Sequence, residues 1–355
     1  MGVKARFAVA VAAVLGVLAP TAASAHGQRH DHRGGPELSD PLVDGLVGPL
    51  SLAIGHKGKV YVAEEFAGTF GKVRGGAYEP LETRPGEGIA GLSVGPMGGV
   101  YFTSTISDDE GPIASSLWRW YRGTSTQLAD VRAWEDANNP DAINTYGFTD
   151  LDPDCEASLP PELATYTGLL DSHPYQTVVA FGRIYIADAG ANAILEVRLD
   201  GSIRAVAVLP PQQLEVTQEL ADAQGLPPCV VGHSFGFEPV PTDVEVGPGG
   251  MLYVTTLPGG PEDPSLGARG AVWKVNPRTG AFQRIASGLA GPTNLAIGRS
   301  GIYVTELFAN RVSVLRHGQP VPVLELTEPA AIEAFRGKLY VTYDVFTSGK
   351  VAVIS

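Results

Sequence analysis

The sequence predicts an all-β fold, a six-bladed β-propeller of four-stranded antiparallel blades whose ring is closed by an N-terminal strand. Three observations carry this. The chain of 355 residues contains 44 Gly and 28 Pro but only 18 % charged residues, a balance that favours short strands joined by tight turns. A hairpin unit recurs six times, each marked by a tyrosine followed by an apolar residue: Tyr61, Tyr101, Tyr185, Tyr253, Tyr303 and Tyr340. The last unit ends one strand short of the others. A hydrophobic content of 44 % can fill a core, which excludes a disordered chain. A net charge of −13 leaves no basic face for a phosphate backbone, so a nucleic-acid partner is not expected.

The first segment reads as an export signal. Lys4 and Arg6 precede an apolar run at 7–18, and small residues ending in Ala25 form a cleavage pattern. The run is too short for a bilayer core, which needs roughly 20 residues, so no permanent membrane anchor is expected. Cleavage after Ala25 would release a secreted protein. The following 26–37 reads as a flexible leader carrying His26, His30 and His32. Such imidazoles can chelate a transition metal, but a frayed leader is the simpler reading.

Residues 38–355 form the repeat region. In each unit a proline or its equivalent opens an alternating apolar strand, a Gly-containing turn follows, and the tyrosine lies on the second strand. Third strands follow at 116–120, 193–197, 271–275, 311–315 and 350–354, and fourth strands are clearest near 203–207 and 281–285. Four strands repeated at about 40–50 residues mark a propeller blade. Insertions are expected near 124–172 and 210–239, capping one face. The short apolar stretch 41–46 has no partner of its own and is the candidate fourth strand of the last blade, which would cover the open edges. Export places the two cysteines, Cys155 and Cys229, in an oxidising space, so they are expected to form a disulfide.

Several stretches carry a family resemblance. The segment from Ile184 through Asp188 and Asn192 to Gly201 resembles an NHL-type propeller repeat. With the insertion at Asn139-Pro140-Asp141, the run Asp171-Ser172-His173-Pro174-Tyr175, and Val240-Pro241-Thr242-Asp243, the chain resembles the ScyD/ScyE-type exported bacterial propellers over 38–355. That resemblance implies six blades and no defined reaction. Lactonase propellers of the SMP-30 type are more distant relatives. Acids and amides at the start of their innermost strands hold a divalent cation. Here Asp243 and Asn294 fall one step later, and a one-residue step turns a strand side chain to the other face.

One position across the six units reads Ser51, Gly91, Gln176, Asp243, Asn294 and Ala331. A polar ring of this kind at a channel mouth suits a small polar ligand or an oxygen-ligated cation such as Ca²⁺, although no motif calls for a metal. Acids end the second strands at Glu64, with Glu65 beside it, Asp188, Glu306 and Asp344. They suit acid–base chemistry, or hydrogen bonding to turn amides. His173 and His233 lie in the insertions, where a loop histidine can act as a general base or simply pack and hydrogen-bond. The candidate channel-mouth residues are therefore Ser51, Glu64, His173, Gln176, Asp188, Asp243, Asn294 and Glu306. Asp150, Asp152 and Asp154 start like a calcium loop but lack its Gly and its closing Glu. No nucleophile elbow is present. The expected function is a non-catalytic binding or scaffold module, monomeric, engaging a small molecule or a protein. The alternative is a metal-dependent lactonase or hydrolase at the channel.

Overall fold

Alternating apolar and small polar residues fold the chain into seven four-stranded antiparallel sheets, as seen in the computed structural model, which describes residues 36–355 apart from residue 262. The export signal, and His26, His30 and His32 of the leader, lie outside the described residues. Sheet one comprises Ser51–Gly55, Lys59–Glu64, Thr69–Arg74 and Ala77–Thr83. Sheet two runs from Gly88–Val94 through Val100–Asp108 and Gly111–Tyr121 to Thr124–Asp130. Sheet three begins at Pro174–Ala180, sheet four at Pro241–Val246 and sheet five at Pro292–Gly298. In each, four strands pair in chain order.

Sheet six takes three strands from the C-terminus, Ile332–Phe335, Lys338–Tyr343 and Gly349–Ile354, and its fourth from Val43–Leu46. Val43 faces Val351 and Leu46 faces Gly349. Further main-chain bonds from Glu37, Ser39 and Leu42 extend this pairing along residues 351–355. The two ends of the described chain are thus tied to each other.

Both faces of every one of these sheets are apolar, so each must be covered twice. The first strands neighbour one another in the cyclic order one, two, three, four, five, six, one. A separate core fills each gap: Leu92 and Phe102 pack on Tyr61 and Phe70 between sheets one and two, and Leu52 and Val62 pack on Val43, Ala331 and Val351 between sheets six and one. Each buried aliphatic or aromatic side chain contributes about 1.5–3 kcal/mol.

The recurring glycine has a steric cause. At Gly55, Gly95 and Gly298 the tyrosine of the next strand lies over the glycine, and a methyl group there would meet its ring at 2.9 Å. Gly247 stands in the same relation to Tyr253.

The insertions differ from expectation in one boundary and in their structure. The strand Thr124–Asp130 belongs to sheet two, so the first insertion begins at 131 and not at 124. Its alternation, with Ala129 turned inward, is masked in the sequence by polar neighbours. The second insertion occupies 209–240. Together they build the seventh sheet, in the order Tyr166–Thr167, Thr145–Phe148, Ser234–Phe237, Gln212–Glu215. Among the described residues no helix is long and apolar enough to cross a membrane.

A Gly95→Ala variant forces its methyl into the Tyr101 ring and should lose about 1–3 kcal/mol, the usual cost of overpacking; a denaturant midpoint equal to the wild type would contradict this packing account.

Candidate functional site

The polar ring read from the sequence is buried, and its oxygens face protein amides. Ser51 Oγ accepts from Leu92 N of sheet two at 2.8 Å. Asp243 Oδ2 accepts from Leu295 N of sheet five at 2.8 Å, and Asn294 Oδ1 from Ile332 N of sheet six at 2.9 Å. In each case the amide follows the next sheet's own ring position. Gln176 Oε1 accepts from Ser51 Oγ and from its own neighbour, Thr177 N, both at 3.1 Å. One residue earlier, Thr242 donates to Pro292 O and Thr293 to Ala330 O. Thus Ser51, Asp243 and Asn294 strap one sheet to the next, while Gln176 of sheet three meets Ser51 of sheet one.

The acids that end the second strands have a comparable task. Glu64 Oε1 accepts from Val47 N at 2.7 Å, and Glu306 Oε2 from Ala290 N at 2.8 Å. Asp188 Oδ1 accepts from His173 N at 2.8 Å, while its Oδ2 accepts from Ser172 Oγ. Each amide sits just ahead of the proline that opens a first strand, so the acid fixes the chain's entry into its own sheet. Glu306 is also bridged by Arg311, and Asp344 by Lys350 at 2.6 Å. The His173 ring stands 3.6 Å from Glu65 Oε1. Burial works against its charge, but Glu65, backed by Asp171 and Asp188, outweighs this and the imidazole pKa is raised.

The acids of the supposed calcium loop have other partners. Asp152 caps the helix Pro153–Ser158 through Asp154 N and Cys155 N, and Asp150 pairs with His233 Nδ1 at 3.1 Å. Among the described residues no three His, Cys, Asp or Glu side chains form a ready-made metal group. Burial raises the carboxyl pKa of Asp243, Glu245 and Glu333; the charge of Asp243 adds to the rise at both glutamates, and that of Glu333 to the rise at Glu245.

The structure brings together a site that the sequence left scattered. Cys155 and Cys229 are bonded, with Cα atoms 5.9 Å apart, and join the two insertions. Beside them lies a pocket of about 150 Å³ between the seventh sheet, the helix Gln218–Gln224 and the sheet-four loop at 259–266. Phe148, Phe235 and Phe237 form one wall, with ring centroids 5.0 and 4.5 Å apart along that row. Leu220, Leu226 and Leu266 face them. The loop is pinned by Arg269, which stacks over Phe237 at 4.3 Å and donates to Gly259 O at 2.9 Å; burial lowers its pKa to about 10.

Two polar groups enter this pocket with an acid–base relation. Tyr166 donates its hydroxyl to Glu238 Oε1 at 3.2 Å. Burial, reinforced by the charge of Asp141, pushes the Glu238 carboxyl up to about 8, so at neutral pH it is mostly protonated and can itself donate. The sequence singles out none of these residues. The alternation Phe235-Gly236-Phe237 is the available signal, but its partner strand lies near residue 147.

No protein-family profile matches the chain, and no curated protein matches it. Solved structures share its fold. A protein described as an oxidoreductase, glucose dehydrogenase, of Thermus thermophilus is 16 % identical with a TM-score of 0.56, over 90 % of this chain and 100 % of that one. The PQQ-bound aldose sugar dehydrogenase of Streptomyces coelicolor is 13 % identical with a TM-score of 0.53, covering 92 % and 99 %. A streptogramin B lyase is 16 % identical with a TM-score of 0.50, covering 90 % and 98 %. The chain has a β-propeller fold. At these identities the likeness extends to fold and not to reaction.

Two outcomes follow from the cap. The disulfide closes a loop of 74 residues, worth about 4 kcal/mol in the chain-entropy treatment. A Cys155→Ser, Cys229→Ser variant should therefore exchange amide hydrogens faster at 145–148 and 234–237, with sheets one and five unchanged. Glu238 is an acid whose folded pKa of about 8 lies above its ordinary 4.5. Its contribution is complete below the ordinary value and is lost as pH rises through 8. Stability should fall as pH rises from about 5 to about 8 and level off above that, read as a denaturant midpoint, and Glu238→Gln should flatten that fall.

Proposed function

We propose that this chain is an exported six-bladed propeller of the ScyD/ScyE type, closed by the pairing of Val43–Leu46 with Gly349–Ile354, and that it is a non-catalytic binding module. The ligand is a small, largely apolar ring compound held in the pocket of the disulfide-linked cap. The observation that carries this reading is the pocket itself. Apolar cavities of about this volume take up benzene-sized molecules, and a few polar groups fix orientation in such sites. Here Glu238 and Tyr166 offer one hydrogen-bonding edge, which favours a ring bearing a single hydroxyl or ring nitrogen. The apolar-to-polar asymmetry and the position on inserted loops above a rigid scaffold are typical of recognition surfaces.

The channel reading, a lactonase or hydrolase of the SMP-30 type, draws support from one feature, the electrostatically linked carboxyls of Asp243, Glu245 and Glu333. Against it stands the engagement of Asp243 with Leu295 N and Val244 N, which leaves its oxygens aimed between sheets.

Calorimetric titration with indole distinguishes the two. Saturable one-to-one binding to the wild type is expected, abolished in Leu226→Trp, whose larger side chain fills the pocket. Absence of saturable binding, or binding unchanged in that variant, would overturn the assignment.

A further inference from the structure

We infer that a buried oxygen cluster beneath the helix Val131–Asn138, formed by Glu135, Asn139 and Asp141, binds one hard divalent cation of the Ca²⁺ kind. The local sequence brings these residues together. Asp130 caps the helix by accepting from Ala133 N at 2.9 Å, and Val131 turns into the core between sheets two and three. Glu135, one turn on, points the same way and is fully buried. The helix stops at Asn139, which takes a left-handed φ of 36° and returns its amide to Glu135 O. Pro140 then starts the turn Pro140–Ile143, which carries Asp141 back inside, also fully buried.

The orphaned atoms in this place are all acceptors. Neither oxygen of Glu135 has a hydrogen-bond partner, nor has Asn139 Oδ1, nor Asp141 Oδ1. Their orientation is set by the atoms that are bonded. Asp141 Oδ2 accepts from Tyr146 Oη at 3.0 Å and from Asn192 Nδ2 at 2.9 Å. Asn139 Nδ2 donates to Gly168 O at 3.0 Å, so its amide oxygen is the end left over. A buried carboxylate without a partner is costly. The arginine of the same helix does not bond this cluster, because Arg132 is paired with Asp136 and donates to Pro112 O. Behind the cluster Asp188 adds negative charge, its oxygens already held by Ser172, His173 and Ala191.

A proton would satisfy one acceptor and create a donor in need of another; no Glu135–Asp141 hydrogen bond is formed. A cation satisfies several acceptors at once. Two carboxylates and one amide oxygen make a hard, all-oxygen set, with no thiolate or imidazole for a softer metal. Ca²⁺ tolerates such mixed shells, completed by carbonyl oxygens or water. The consequence is mechanical. Asn192 bonds Asp141 with its amide nitrogen and Val240 N with its oxygen at 3.0 Å. An ion here would fasten the first insertion to sheet three and, through Asn192, to the exit of the second.

The test uses the full secreted chain stripped with a chelator, then titrated with Ca²⁺ by calorimetry and with Tb³⁺ by tyrosine-sensitised luminescence, Tyr146 being the antenna. One ion per chain is expected, in the range of about 10⁻⁴–10⁻³ M common for extracellular modules, with Ca²⁺ displacing Tb³⁺. Glu135→Gln and Asp141→Asn should each weaken it by at least about tenfold. If either variant fails to fold, hydrogen exchange on the wild type decides, with ion-dependent protection expected at 131–146. No uptake by the wild type, uptake unaltered in both variants, or protection confined elsewhere would each overturn the inference.

Discussion

The architecture depends on two-sided burial. A sheet whose faces are both apolar is stable only when sandwiched, and no sheet can be sandwiched at the end of a row. The first strands neighbour one another in cyclic order, and the N-terminal strand pairs along the edge of the last sheet. Hydrophobic packing is non-directional, so it does not by itself fix how far one sheet slides past the next. The side-chain oxygens of Ser51, Asp243 and Asn294 supply that register, because each must meet one amide of the following sheet. A slip by one residue would leave a buried acceptor and a buried donor unpaired.

This scaffold leaves the cap free to differ. The insertions at 131–173 and 209–240 make a sheet that belongs to neither of the neighbouring repeats, held by the Cys155–Cys229 bond, by edge-on and tilted phenylalanine contacts and by Arg269 reaching from sheet four. Pocket, protonated Glu238 and the oxygen cluster around Glu135 all lie in or under this cap. The acids are connected: Asp141 raises both Glu135 and Glu238 through its charge, after burial as the main cause. Ligand site and proposed ion site therefore share one electrostatic neighbourhood, so neutralising Asp141 is felt in both.

Legibility followed distance along the chain. The hairpins could be read because Gly95 and Tyr101, or Gly298 and Tyr303, meet within a few residues. The ring positions could be located for the same reason, since they fall nine or ten residues before the tyrosine. What they do was not visible: an oxygen beside a channel and an oxygen bonding the next sheet's amide look alike in one dimension. The acids Glu64 and Glu306 were read with two roles open, and their geometry assigns the amide of Val47 and of Ala290 to them. The pocket was missed because Phe148 and Phe235 are adjacent only through strand pairing.

The sequence by itself determined the β class, the hairpin repeat and the residues that recur in it, because these rest on alternation and on contacts between near neighbours. Tertiary structure alone decided that two distant insertions share a sheet, that a pocket opens between them, and which buried acids stand together. The physical reason is that burial and charge act through space. Glu135 differs from any other helical glutamate only in what surrounds it, and its surroundings come from segments before and after it that the order of the chain does not reveal.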